Sequence, residues 1–334
     1  MHAARSARPS RSLTRRNFLT VSAGTAAAAL LGACSSDQGS PSSVLPQSLW
    51  GCFLPVTGLG NPGSATAIDQ LARLAGAKPD VVHLYASIND HLPCASLDVI
   101  RGTAVTPLIT LEPWNPRGGQ NQLEFALRSI TSGQHDAALH RWASQLAEWK
   151  HPVLLRFAQE MNGSWYPWSI GINGNSAAEY RLAWERMHAI ISDAATNVSF
   201  VWAPNAITEG TTAFTSCYPG DQFVDYLGLD GYNWGTSPGH QWQSANKLFS
   251  HSIATLGNLA PDLPILVTEV GCAEGDRPDL KANWIREFYS VIESNHRVSG
   301  FVWFQMDKER DWRFNSSPAS TAAFRESLGQ WTRQ

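Results

Sequence analysis

No aspartate or glutamate occurs before Asp37, although the chain holds 28 acidic residues. The stretch ahead of Asp37 therefore differs in kind from the rest. Several motifs are missing throughout. Neither Cys-x-x-Cys nor His-Glu-x-x-His occurs, which disfavours a zinc site, and no metal or cofactor is expected. A surplus of basic charge is missing too: 25 Lys and Arg stand against 28 Asp and Glu, a formal charge of −3. A nucleic-acid partner calls for a basic footprint, so none is expected. The glycine-rich turn Gly58-Leu59-Gly60-Asn61-Pro62-Gly63 fails the dinucleotide fingerprint through Pro62 and its spacing. Finally, no early apolar stretch reaches the roughly 20 strongly apolar residues of a membrane span.

What the front end does contain is an address. Arg15-Arg16-Asn17-Phe18-Leu19 precedes a modest apolar run through Leu31, and Leu31-Gly32-Ala33-Cys34 closes it. Paired arginines ahead of such a run read as a twin-arginine export signal over residues 1–33. The closing four residues resemble a lipobox, which makes Cys34 the lipid-bearing residue. The rival reading is an ordinary cleaved signal with Cys34 incidental. Residues 34–48, rich in Ser, Pro, Gly and Gln, have the composition of a flexible tether. The expectation is an exported monomer outside the cytoplasm, lipid-anchored to the cell membrane. Residues 1–33 hold five Arg and no acid, so the remainder carries 20 basic and 28 acidic residues, a formal −8. Four later cysteines, Cys52, Cys94, Cys217 and Cys272, can pair in three ways.

Residues 49–334 suit one domain. Eight short, almost continuously apolar runs recur: Leu49–Leu54, Val81–Tyr85, Thr106–Leu111, Val153–Phe157, Val198–Trp202, Tyr226–Leu229, Pro264–Thr268 and Gly300–Phe304. Such runs suit parallel strands covered on both faces. Helical periods lie between them. Leu139, Trp142, Ala143, Leu146 and Trp149 repeat at three and four, and Ser176 with Glu179 forms a capping-box pattern. Eightfold alternation of strand and helix predicts a parallel α/β fold, a single-domain (β/α)8 TIM barrel, with a doubly wound sheet as the rival.

Glu160 and Glu269 stand where strands four and seven end, and a barrel gathers those ends into one mouth. Two facing carboxylates among aromatic groups suit retaining cleavage of glycosidic bonds. All fourteen Trp follow residue 48, and indole packs well on the C–H face of a sugar. Glu160, followed by Trp165, Tyr166 and Trp168, suits a desolvated general acid. Glu269 suits a nucleophile kept ionised by donors such as Tyr232, with Arg156 pointing inward to hold its charge. The competing reading makes each glutamate a structural ion-pair partner, Arg156 being the first choice. Trp303, just beyond strand eight, is placed as a floor beneath the cleaved sugar. Trp165 and Trp168 either line adjacent subsites or pin their loop. His83 and Asp230 read as barrel-interior groups, and Asp307 as a loop residue.

The segment Arg156-Phe157-Ala158-Gln159-Glu160-Met161-Asn162-Gly163-Ser164-Trp165-Tyr166-Pro167-Trp168 resembles the acid/base segment of glycoside hydrolase family 26. The likeness continues through Phe200–Asn205, Asp225–Asn233, Thr268-Glu269 and Val302–Phe304, in order. The resemblance implies a (β/α)8 barrel with the acid after strand four and the nucleophile at strand seven, hence Glu160 and Glu269. It implies action on a polysaccharide: β-1,4-mannan foremost, with β-glucan or β-xylan next. It also places Glu112, after strand three, in the cleft and outside the catalytic pair. One departure stands out. The family usually has His before the acid, and here that residue is Gln159, a neutral amide placed to influence sugar preference. Other readings of the same residues are an exopolysaccharide-trimming enzyme and a non-catalytic glycan-binding lipoprotein.

Overall fold

The computed structural model describes residues 48–54 and 67–333. The expected signal, residues 1–33 with Cys34, and all of the tether except Ser48 lie outside the described residues. Eight parallel strands close into a barrel in sequence order: β1 (Leu49–Phe53), β2 (Val81–Ser87), β3 (Thr106–Glu112), β4 (Val153–Phe157), β5 (Val198–Trp202), β6 (Tyr226–Asn233), β7 (Ile265–Cys272) and β8 (Val298–Phe304). β1 pairs with β8 to complete the ring. Among the described residues the helices are α1 (Ala67–Ala75), α2 (Cys94–Gly102), α3 (Leu127–Thr131), α4 (Asp136–Trp149), α5 (Ala177–Ala194), α6 (Ala245–Leu259), α7 (Leu280–Glu293) and α8 (Pro318–Trp331). The capping box expected at Ser176 and Glu179 starts α5, each side chain bonding the other's backbone. The doubly wound alternative is excluded by the closed ring.

Strand parity organises the interior. Side chains two apart point the same way, and Val81, Leu108, Leu154, Val201, Tyr226, Leu266 and Val302 form one apolar cluster, a hydrocarbon floor inside the ring. Two residues further along β2, β3 and β4 the lining turns polar: His83, Thr110 and Arg156 bond one another. The next step brings Tyr85 and Glu112 to the mouth. Outward residues pack under the helices. Trp142, Trp184 and Trp284 are buried there, as their helical periods require.

β6 and β7 run furthest beyond their apolar runs. β6 continues to Asn233 and β7 to Cys272, because Gly231, Tyr232 and Asn233 pair with Val270, Gly271 and Cys272. The two strands also slip: Gly228 pairs with Leu266, yet Asp230 pairs with Glu269, so β7 carries an extra residue. The register of β7 against β8 shifts over the same segment. A bulge of this kind re-aims side chains. Here it turns both Thr268 and Glu269 inward, Thr268 onto Asp230 and Glu269 onto Arg156. The four described cysteines, Cys52, Cys94, Cys217 and Cys272, are all free.

Candidate active site

Glu269 sits inside β7, three residues short of its end. Its Oε1 accepts from the Arg156 guanidinium and the Tyr85 hydroxyl, and its Oε2 from the Tyr232 hydroxyl. Burial and the charge of Glu269 hold both phenols well above their usual range, so they remain protonated donors. Arg156 is itself fully buried. It donates to Asp230 at 2.7 and 2.8 Å and to Thr110 at 2.7 Å. A guanidinium with several donors in a fixed plane can serve two carboxylates at once. His83 lies beneath it, and burial, then the Arg156 charge, push its pKa well down. A neutral His83 therefore accepts from Arg156 at Nε2, 3.2 Å away.

Glu160 lies three residues beyond β4, and its surroundings are different. Its Oε1 accepts from the Asn205 amide at 2.6 Å and its Oε2 from the Trp165 indole at 2.7 Å. Both donors are neutral. Burial, then the negative charge of Glu269, raise the Glu160 pKa to about 7, outweighing those two hydrogen bonds. The charge of Glu269 thus acts on Glu160 across the mouth.

The backbone that presents Glu160 is strained. Ala158 and Glu160 both have left-handed φ, 46° and 54°, a region that costs non-glycine residues roughly 1–2 kcal/mol each. Hydrogen bonds hold this turn: Glu160 N–H to Ala203 O at 2.8 Å, the Tyr180 hydroxyl to Ala158 O at 3.1 Å, and the Trp168 indole to Gln159 O at 2.7 Å. Gly163 makes room for the Trp165 ring, since a Cβ there would lie 2.4 Å from it.

A third carboxylate completes the mouth. Glu112 ends β3, and parity with Leu108 and Thr110 points it inward. Its oxygens accept from the Gln159 amide at 2.8 Å and the Trp114 indole at 3.1 Å. Burial raises its pKa to about 7 despite those bonds.

The residues expected from sequence divide as follows. Glu160, Glu269, Arg156, Tyr232, Gln159, Glu112 and Trp165 meet around one mouth, although Arg156 is too deep to touch a ligand. Trp165, 38% exposed, forms its rim. One expectation is corrected and two are narrowed. Trp303 lies within β8 and has odd parity against the inward Val302 and Phe304. It is fully buried beneath α7 and α8 against Trp284, Phe288 and Phe324, so it cannot be a floor for a sugar. Trp168 is fully buried, stacked on Tyr166 and bonded to Gln159 O, so it pins the loop. Gln159 is fully buried as well and reaches the cleft only through Glu112.

Sequence reasoning missed Tyr85, Asn205 and Trp114. The first was within reach: Tyr85 shares strand parity with the inward His83. Asn205 follows β5 and is brought over Glu160 by a bridge to Asp230, a pairing without a local signal. Trp234 and Trp312 pack edge to face beside Tyr232 at the same rim. Among the described residues no cluster of His, Cys, Asp and Glu could hold a metal.

Residues 120–313 match the family model described as Glycosyl hydrolase family 26. The chain is 35% identical over 281 residues to Endoglucanase H of Acetivibrio thermocellus, covering 81% of this chain and 30% of that protein. It is 30% identical over 145 residues to a mannan endo-1,4-beta-mannosidase of Bacillus subtilis, 41% of this chain and 36% of that one. The chain spans less than half the length of the curated relatives it matches. In fold it is similar to the catalytic domain of a GH26 endo-beta-1,4-mannanase of Bacillus sp. JAMB-750, with a TM-score of 0.65, 19% identity, and 85% and 86% of the two chains covered.

Proposed function

The chain belongs to glycosyl hydrolase family 26, and from that premise we propose that it is an endo-acting, retaining β-glycanase. One observation carries the reading: two buried glutamates face one mouth, Glu160 among neutral donors and Glu269 bonded to a guanidinium and two phenols. In the first step a Glu269 oxygen attacks the anomeric carbon while Glu160 gives its proton to the leaving oxygen, and the glycosidic bond breaks. In the second, Glu160 takes a proton from water, the water oxygen bonds to the anomeric carbon, and the Glu269 ester opens. A Glu160 pKa near 7 suits a group that must first give and then take a proton. Trp165, Trp114 and Trp234, all at least partly exposed, are the candidate aromatic contacts for a neutral sugar chain.

β-1,4-Mannan is the first substrate, on the strength of the mannan-cleaving relative. β-Glucan is the second reading, favoured by the relative named an endoglucanase that matches 81% of this chain. The test is a depolymerisation screen on purified mannan, mixed-linkage glucan and xylan, with proton NMR of the first products. Rapid loss of viscosity with retained anomeric configuration supports the reading. Binding of these polymers without release of reducing ends would instead make the chain a glycan-binding module.

Export and tethering are part of the proposal. They rest on Arg15-Arg16, the short apolar run and Leu31-Gly32-Ala33-Cys34. Cys34→Ser releases the protein from the membrane fraction on this reading, and Arg15→Lys with Arg16→Lys blocks export. A Cys34→Ser protein that stays firmly membrane-bound would point to an uncleaved anchor.

A further inference from the structure

Three carboxylates line the mouth, and the two-step reaction uses only two. Glu112 is the third. It is 7% exposed and carries the inward parity of β3 one step above Thr110, so the little surface it has belongs to the mouth. Both its oxygens are fixed, one by the Gln159 amide at 2.8 Å and one by the Trp114 indole at 3.1 Å. Trp114 is held in turn, edge-on against Tyr166 and Trp168 of the acid's loop, and its carbonyl accepts from Ser87 Oγ at 2.6 Å. A flexible side chain has thus been made rigid.

Its chemistry is one-sided. With its pKa raised to about 7, Glu112 is ionised above neutral pH; an ionised carboxyl has four lone-pair sites and only accepts, and the Gln159 and Trp114 donors occupy two of them. The Oε1 of Gln159 is also buried and has no partner. The remaining lone pairs of Glu112 meet no further protein donor among the described residues, so a ligand that brings an O–H to Glu112 gains a hydrogen bond there. Gln159 itself has no exposed surface. The group that meets the ligand is Glu112.

We propose that Glu112 reads one hydroxyl of the sugar beside the cleaved bond, accepting its hydrogen, and that Gln159 is a positioning residue which holds Glu112 for that purpose. The proposal rests on the glycanase reading and assigns its sugar discrimination to residue 112.

The test is a cycle between protein and substrate. kcat/KM is measured for wild type and Glu112→Gln on the preferred β-linked oligosaccharide and on its monodeoxy analogues, each lacking one hydroxyl. Losing a hydrogen bond to a charged group lowers kcat/KM about 10- to 100-fold. Wild type is expected to show that loss on one analogue in particular. Glu112→Gln shows it on the parent sugar, with little further loss on that same analogue. Equal, additive losses across all analogues in both proteins overturn the assignment. If Glu112→Gln does not fold, wild type alone still decides: no single analogue with an outsized loss also overturns it. Gln159→Leu, which removes the donor, should lower kcat/KM on the parent sugar while kcat changes little. Gln159→His, whose ring N–H can serve Glu112, should restore it. Failure of that rescue removes Gln159 from the proposal. If wild type cleaves no β-glycan at all, it is the glycanase reading that falls.

Discussion

The surroundings of Glu160 and Glu269 differ in one respect that matters most. Both are nearly buried and both accept hydrogen bonds at each oxygen. Glu269 has a guanidinium among its donors, whereas Glu160 has an amide and an indole. In a poorly solvated mouth, a carboxylate without a cation holds its proton more tightly. The comparison teaches that the position of one arginine gives two chemically identical side chains different surroundings, which is what the proposed division of labour between them rests on. Arg156 reaches Glu269 because it stands two residues inward of Ala158, on the deeper layer that β4 shares with Thr110 and His83.

The comparison is broken most severely at Glu269. Glu269→Gln leaves no nucleophile and should lower kcat on the order of 10⁴-fold or more on every substrate, measured by reducing-end release. Near-wild-type rates would send the search for a nucleophile to Glu112. Glu160→Gln should cost about 10²- to 10⁴-fold on polysaccharide. On an aryl glycoside, whose leaving group needs no proton, the first step should be largely spared. An equal loss on both substrates would remove the acid role from Glu160.

Arg156→Met erases the difference at its source. Asp230 and Glu269 would then share the interior without a cation, at a cost of about 3–5 kcal/mol, read from denaturant unfolding. A stability loss below about 1 kcal/mol would mean that the ion pairs are solvated and the contrast is overstated.

The raised pKa of Glu160 makes a further claim. The folded state binds this proton more tightly than the unfolded chain, where the carboxyl titrates near 4.5. Its contribution to stability is therefore full below that value and is lost as pH rises through about 7. Glu160→Gln should raise Tm at pH 8 by a few degrees and change it little at pH 4. A Tm difference independent of pH would contradict the shift. The same group sets the alkaline limb of kcat/KM, which should fall about tenfold per pH unit above about 7.

The smallest effect tests the rim. Gly163→Ala pushes the Trp165 ring from Glu160 and removes one hydrogen bond that favours the ionised acid. The alkaline limb should move upward by a fraction of a unit. A downward move would mean that Trp165 serves another purpose.

How much of this was legible beforehand depended on parity and pairing. The barrel was, because strands buried on both faces leave continuous apolar runs. Glu160 and Glu269 stood out because each stands where one of those runs ends. The assignment of Trp303 failed by one residue: strand direction alternates, and Val302 and Phe304 took the inward places. Glu269 reaches the mouth through a bulge between β6 and β7 that leaves no mark in the sequence. Without it, the inward Thr268 would put residue 269 outside. Asn205 could not be foreseen, since its role depends on a bridge to Asp230 and on the turn that carries Glu160. Gln159 stood out as a neutral amide beside Glu160, but its burial, which leaves Glu112 as its link to the mouth, depends on the fold of the turn and not on the local sequence.

The division of roles between the two glutamates is tested most directly by trapping the intermediate. Wild type is incubated with a 2-deoxy-2-fluoro glycoside of the preferred disaccharide that bears an activated leaving group, and the labelled peptide is sequenced by mass spectrometry. The expected result is a single glycosyl ester on Glu269, absent from Glu269→Gln. A label on Glu160 or Glu112, or rapid turnover with inverted configuration and no ester, would contradict the assignment.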